Sequence, residues 1–154
     1  MLRVSLYLTL LLFWSTNALA QLSFHSNFEY ISFHNNSENP SLKNKLSLFF
    51  AADSSYTQEK FDSVYKQLLD YNASHNFDKN TKNLFFYVQQ DFFKSFEVKS
   101  TFSPLFNSGD FNCVSASALL SFFLNLNDIH NEIEELPYHV YVRTWHRNNP
   151  IILE

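Results

Sequence analysis

Residues 109–125 read GDFNCVSASALLSFFLN, and residues 136–143 read LPYHVYVR. From Cys113 to Asn125 almost every position is apolar or small, which predicts a helix without a polar face, and such a helix is buried. Asp110 or Asn112 can cap its start. Tyr138 to Trp145 is rich in Tyr, Val, Thr and Trp, all strand formers. Alternation puts His139, Tyr141, Arg143 and Trp145 on one face of that strand. Tyr138, Val140, Val142 and Thr144 take the other, and the two valines mark this as the core side.

The elements around this pair set the fold class. Upstream, Thr57 opens a helix in which Phe61, Val64, Tyr65, Leu68 and Leu69 share one face, and Tyr71-Asn72 ends it. A second helix is predicted from Asn80 to Phe96, capped by Asn80 or Thr81 and faced by Phe85, Val88, Phe92 and Phe96. Leu46 to Ala51 is a short apolar segment, a strand or a helix start. Phe102 to Asp110 is a loop broken by Pro104 and Gly109. Downstream, Glu132 to Leu136 is a short strand stopped by Pro137, His146 to Pro150 holds turn residues, and Ile151 to Leu153 begins a return strand. Helices followed by a small antiparallel sheet give an α+β fold.

The N-terminus has the grammar of a secretory signal peptide over residues 1–20: Arg3, an apolar run from Val4 to Trp14, and Ala18-Leu19-Ala20 as the cleavage site before Gln21. The run is well short of the roughly 20 residues that span a bilayer. An exported protein, periplasmic or extracellular, without stable membrane insertion is therefore expected. Residues 21–45 are polar and lack clear periodicity, and are expected to be poorly ordered or loosely packed. Residues 46–154 form the single domain.

The chain of 154 residues has a net charge of −4, with its Lys and Arg scattered. Such a charge offers no footprint for nucleic acid. A single Gly excludes a phosphate-binding loop. A single Cys, with neither C-x-x-C nor H-E-x-x-H, argues against zinc, and no cofactor is expected. That Cys cannot form an intramolecular disulfide. It is either a packed small hydrophobe, a link to another chain, or a chemically used thiol.

Cys113 stands at the first turn of its helix, where free N–H groups and the helix dipole favour an anion. A thiolate nucleophile needs a partner to move protons, usually His held by a third polar group. His139 lies on the non-core face of its strand and is the candidate. His146 falls in the turn, while His25, His34, His75 and His130 fall in segments read as loops or linkers.

The run from Gly109 to Leu119, with Pro137-Tyr138-His139-Val140-Tyr141-Val142, resembles the transglutaminase-like superfamily of the papain-type cysteine-enzyme fold, exported bacterial members above all. The resemblance covers about residues 96–154. It implies Cys113 as nucleophile, His139 as general base and acid, an orienting acid or amide on the next strand, and a protein or peptide substrate. Glu154 is the only acidic residue after His139. Superfamily members usually continue beyond this point, which leaves a C-terminally truncated chain as an open possibility.

The hairpin register bears on Glu154. A two-residue turn at Asn148-Asn149 puts it opposite Arg143, four residues or roughly 13 Å from His139. A turn centred on His146-Arg147 puts it opposite His139. Either register keeps the two on one face. Three function classes stay open: cysteine-dependent acyl transfer on amides (peptidase, amidase or transglutaminase), an inactive binding or assembly module of the cell envelope, and a small secreted protein whose Cys113 belongs to the core.

Overall fold

A computed structural model describes residues 23–77, 80–147 and 149–154, so the signal peptide read over residues 1–20 lies outside the described residues. Helix α1 spans Asn27–Glu38 and α2 spans Leu42–Ala51. Ser26 caps α1 by accepting from the Glu29 N–H at 3.0 Å, and Ser41 caps α2 by accepting from Asn44. This segment, expected to be poorly ordered or loosely packed, holds helix α1 and the start of α2. Its helical signals are local caps rather than periodicity, because only Phe28 and Ser32, one turn apart, are buried. Phe28 meets Phe61 with ring centroids 5.7 Å apart.

Helix α3 (Gln58–His75) starts at its Thr57 cap and runs past Tyr71-Asn72 to a left-handed Asn76. Phe61 and Leu68 are its buried residues. Helix α4 (Thr81–Phe92) is capped by Asn80 but stops short of Phe96. Its buried stripe is Leu84 and Val88, with Phe92 partly buried against the core. Of the expected series, Val88 is buried and Phe85 and Phe92 pack partly against the core, whereas Phe96 lies outside the helix and Leu84 takes a core position the series omitted. Ser95–Phe96 is instead a strand, β1, paired parallel with β2 (Asp110–Phe111). Between them the predicted loop carries a short helix, α5 (Pro104–Asn107), and buries Phe102 and Leu105.

This loop is held by two devices. Gly109 adopts φ +81°, a left-handed conformation that L side chains rarely accept, and a Cβ there would come within 2.7 Å of Lys94 Cβ. Gly109→Ala is expected to cost about 1–3 kcal/mol, read as a lower urea midpoint at unchanged m-value. The second device is Asp53, in the turn between α2 and α3. Its carboxylate accepts from the buried Ser103 hydroxyl and, at 2.9 Å, from the Ser55 N–H. These bonds, Ser103 foremost, hold its ionisation below the ordinary carboxylate range. The unfolded chain then binds the extra proton first, so this stabilisation is present above about pH 4 and is lost as pH falls further. Asp53→Asn should accordingly lower the unfolding midpoint at neutral pH, with a difference from the parent that shrinks as pH falls below the ordinary carboxylate range.

Helix α6 (Cys113–Leu126) is the central element, packed against α2, α4 and the sheet. Leu119, Phe123 and Leu124 are fully buried. The sheet is antiparallel in the order β3 (Asn131–Leu136), β4 (His139–His146), β5 (Asn149–Leu153). Val142 and Thr144 are fully buried on the face the alternation assigns to the core. The fold is α+β, with helices preceding a three-stranded antiparallel sheet.

Candidate active site

Asn112 precedes α6 in an extended conformation and makes a capping box. Its Oδ1 accepts from the Ser115 N–H at 2.9 Å, and its own N–H donates to Ser115 Oγ at 2.9 Å. The Asn112 amide also donates to the carbonyl oxygens of Ser100 (2.7 Å) and Val98 (3.3 Å), fixing the preceding loop to the helix start. Cys113 is thereby set as the first residue of α6, half-buried. The N–H groups of Cys113 and Val114 have no acceptor within the helix.

His139 opens β4, directly after the two-residue turn Pro137-Tyr138. Its Nε2 lies 3.0 Å from Glu154 Oε2, and its ring stacks on Tyr141 at 5.9 Å between centroids. With Glu154 ionised, Nε2 carries the proton and Nδ1 is the free basic nitrogen. The register behind this contact differs from both expected ones. His146 pairs with Asn149, and Glu154 falls one residue beyond the Val142–Leu153 pair, level with Tyr141. The carboxylate reaches His139 along the diagonal, a span that long side chains bridge. The rival Arg143–Glu154 pair does not form, because the Arg143 guanidinium pairs with Glu134.

One hydrogen bond ties the two halves of the site. Ser117 Oγ donates to the Val140 carbonyl at 3.2 Å. Ser117 sits one turn after Cys113 on the same helix face, and Val140 follows His139. Sequence reasoning missed Ser117. Its signal is a hydroxyl four residues after the thiol, the first of a Ser117-Ser121-Asn125 polar row along an otherwise apolar helix.

Cys113, His139 and Glu154 line one cavity of about 290 Å³. No hydrogen bond joins the sulfur to the ring in this arrangement, and His139 and Glu154 keep 42% and 61% of their side-chain surface exposed. His146, read from sequence as a turn residue, ends β4 opposite Asn149 and does not line the cavity, and the other four histidines are occupied elsewhere. His25 and His34 pair with Glu29 and Glu38, the latter pair within α1; His75 at the end of α3 bonds the Tyr71 carbonyl, and His130 stacks on Trp145. A second cavity, about 370 Å³, is lined by Tyr71, Asp91 and Lys94 and holds neither thiol nor imidazole. Burial, then the hydrogen bond to Asp91, keeps the Tyr71 phenol protonated far above neutrality.

Among the described residues, no group of three His, Cys, Asp or Glu is placed to hold a metal ion, and no helix is long and apolar enough to cross a membrane. No protein-family model, curated protein or solved structure matches the chain.

Proposed function

We propose that this chain is an exported, cysteine-dependent acyl-transfer enzyme acting on amide bonds of a protein or peptide, built on a transglutaminase-like, papain-type core. The observation that carries the proposal is the convergence on one cavity of Cys113, at a helix start, and the hydrogen-bonded pair His139–Glu154. Export is inferred from the leader-like grammar of residues 1–20. The net charge of −4 gives no support to a nucleic-acid partner.

In the proposed reaction His139 Nδ1 takes the thiol proton and the Cys113 sulfur attacks the amide carbonyl carbon. The carbonyl π electrons move onto oxygen, where the Cys113 and Val114 N–H groups are suited to receive the negative charge. Collapse expels the amine, which leaves with the proton from His139, and a thioester remains on Cys113. Water or a second amine then attacks the thioester, giving an acid or a new amide and regenerating the thiol. Glu154 keeps the imidazole in the productive tautomer and stabilises the imidazolium. The same three side chains serve hydrolysis and crosslinking.

A second assignment, a catalytically inactive binding or assembly module of the cell envelope, is favoured by the missing sulfur–ring hydrogen bond and by the exposure of His139 and Glu154. Turnover of a peptide and glutamine-donor library separates the two. The enzyme assignment expects cleavage or amine incorporation that Cys113→Ala abolishes. A Cys113 thiol that iodoacetamide modifies only after unfolding overturns it.

A further inference from the structure

The wall of the cavity beside Cys113 is aromatic. Phe93 stacks on Phe111 with centroids 4.9 Å apart, and Phe96 meets Phe111 edge-on at 5.6 Å. Phe85, Leu120 and Leu153 extend this apolar surface. Three of these rings, Phe85, Phe93 and Phe111, pack one side against the core and leave the other open to the cavity. Phe85, Phe93 and Phe111 are only partly buried, and Phe96 is 58% exposed although it sits in a paired strand. The parallel pairing of β1 with β2 is what brings Phe96 to the cleft, one strand-width from the residues that lead into Cys113.

The ionisable groups of this cavity are Cys113, His139 and Glu154 alone, all three belonging to the proposed reaction. The only other long polar side chain on the wall is Gln89, one turn of α4 after Phe85. A charged substrate side chain would lose water here without meeting an opposite charge, apart from the carboxylate already bonded to His139. An aromatic or branched aliphatic side chain would bury apolar area against the rings, and an aromatic one would continue their edge and stacking contacts. A volume of about 290 Å³ suits one such side chain and its backbone amide rather than an extended sugar or nucleotide.

We propose that the cleft formed by Phe85, Phe93, Phe96 and Phe111 is the acyl-side specificity pocket, and that it selects peptide amides whose side chain next to the reacting carbonyl is aromatic or large and aliphatic. Gln89 lies where it can bond the substrate backbone amide. This inference rests on the acyl-transfer assignment for its chemistry, but the pocket's preference can be read without turnover.

The test uses N-acetyl amino-acid amides and short peptide amides carrying Phe, Leu, Ala, Gln, Lys or Asp on the acyl side. Binding to the Cys113→Ala protein is measured by NMR shift titration, and turnover is measured with the parent chain. Expected is binding of the Phe and Leu amides at least about tenfold tighter than Ala, with Lys and Asp weakest, and kcat/KM in the same order. Phe96→Ala, an exposed position, should reduce the Phe-to-Ala ratio by about fivefold or more, whereas Phe86→Ala, equally exposed but outside the cavity, should leave it unchanged. Equal affinities across the series, or a ratio insensitive to Phe96→Ala, overturns the pocket even where Cys113-dependent turnover is found. Selective binding without any Cys113-dependent turnover sustains the pocket and overturns the enzyme assignment instead.

Discussion

Replacing His139 with alanine is expected to lower turnover of an amide substrate by about a hundred- to ten-thousandfold, the range a positioned general base and acid contributes. The same change should slow iodoacetamide alkylation of Cys113 in the folded protein, since no other histidine lines the cavity. The two readouts together separate chemistry from folding, because far-UV circular dichroism and the urea midpoint should barely move for a half-exposed strand residue. Glu154→Ala should act through the same ring and more weakly, by about tenfold to a hundredfold, because it leaves the imidazole in place and removes only what orients it. Alkylation and turnover both within twofold of the parent in His139→Ala would exclude His139 from the reaction.

The largest expected loss of stability lies elsewhere. Phe50 is fully buried in α2 and touches four aromatic rings: Tyr56 at 4.7 Å, Phe102 at 5.0 Å, Phe106 at 5.2 Å and Phe61 at 5.5 Å. Those four come from the turn before α3, the loop before Gly109, α5 and α3. One ring therefore joins the N-terminal helices to the segment that leads into Cys113. Phe50→Ala removes the ring and leaves a void the rigid neighbours fill poorly, at a cost of about 3–5 kcal/mol. Against a total stability of about 5–15 kcal/mol for a domain, that places the variant near the unfolding threshold. A urea midpoint lowered by less than about 1 kcal/mol equivalent would mean that the loop repacks freely and is not anchored by Phe50.

How far the sequence showed this depends on the kind of signal. Helix α6 and strand β4 were legible because their patterns are extreme: one is apolar all round, the other alternates with valines on one side, and Val142 and Thr144 are buried as that alternation requires. The end of α4 was not legible. Phe96 continues the helical spacing, yet the backbone leaves the helix after Phe92 to pair with β2, whose partner residues stand fifteen positions away and which no local pattern announces. Helix α1 was missed for the opposite reason: its start is a single serine cap, and its buried stripe is two residues wide. At the site, Cys113 and His139 could be named from residue type and position. The Glu154 contact could not, because it turns on the hairpin register: His146 pairs with Asn149, one step from each of the two registers the sequence offered. Of the aromatic cleft wall, Phe85 and Phe96 were read from sequence only as part of an apolar helix face, since a phenylalanine at helical spacing carries no mark that tells a packed ring from one facing a cavity.

The central position of α6 has a consequence for how the chain is made. Helices α1 to α4 leave the ribosome first, and their buried faces close on residues such as Leu119 and Phe123 that are synthesised later. Until then the N-terminal half carries apolar surface with no permanent partner, the kind of surface that chaperones engage. Cys113, His139 and Glu154 follow in that order, in the last third of the polypeptide, so their shared cavity is complete only when β5 pairs with β4 and brings Glu154 to His139.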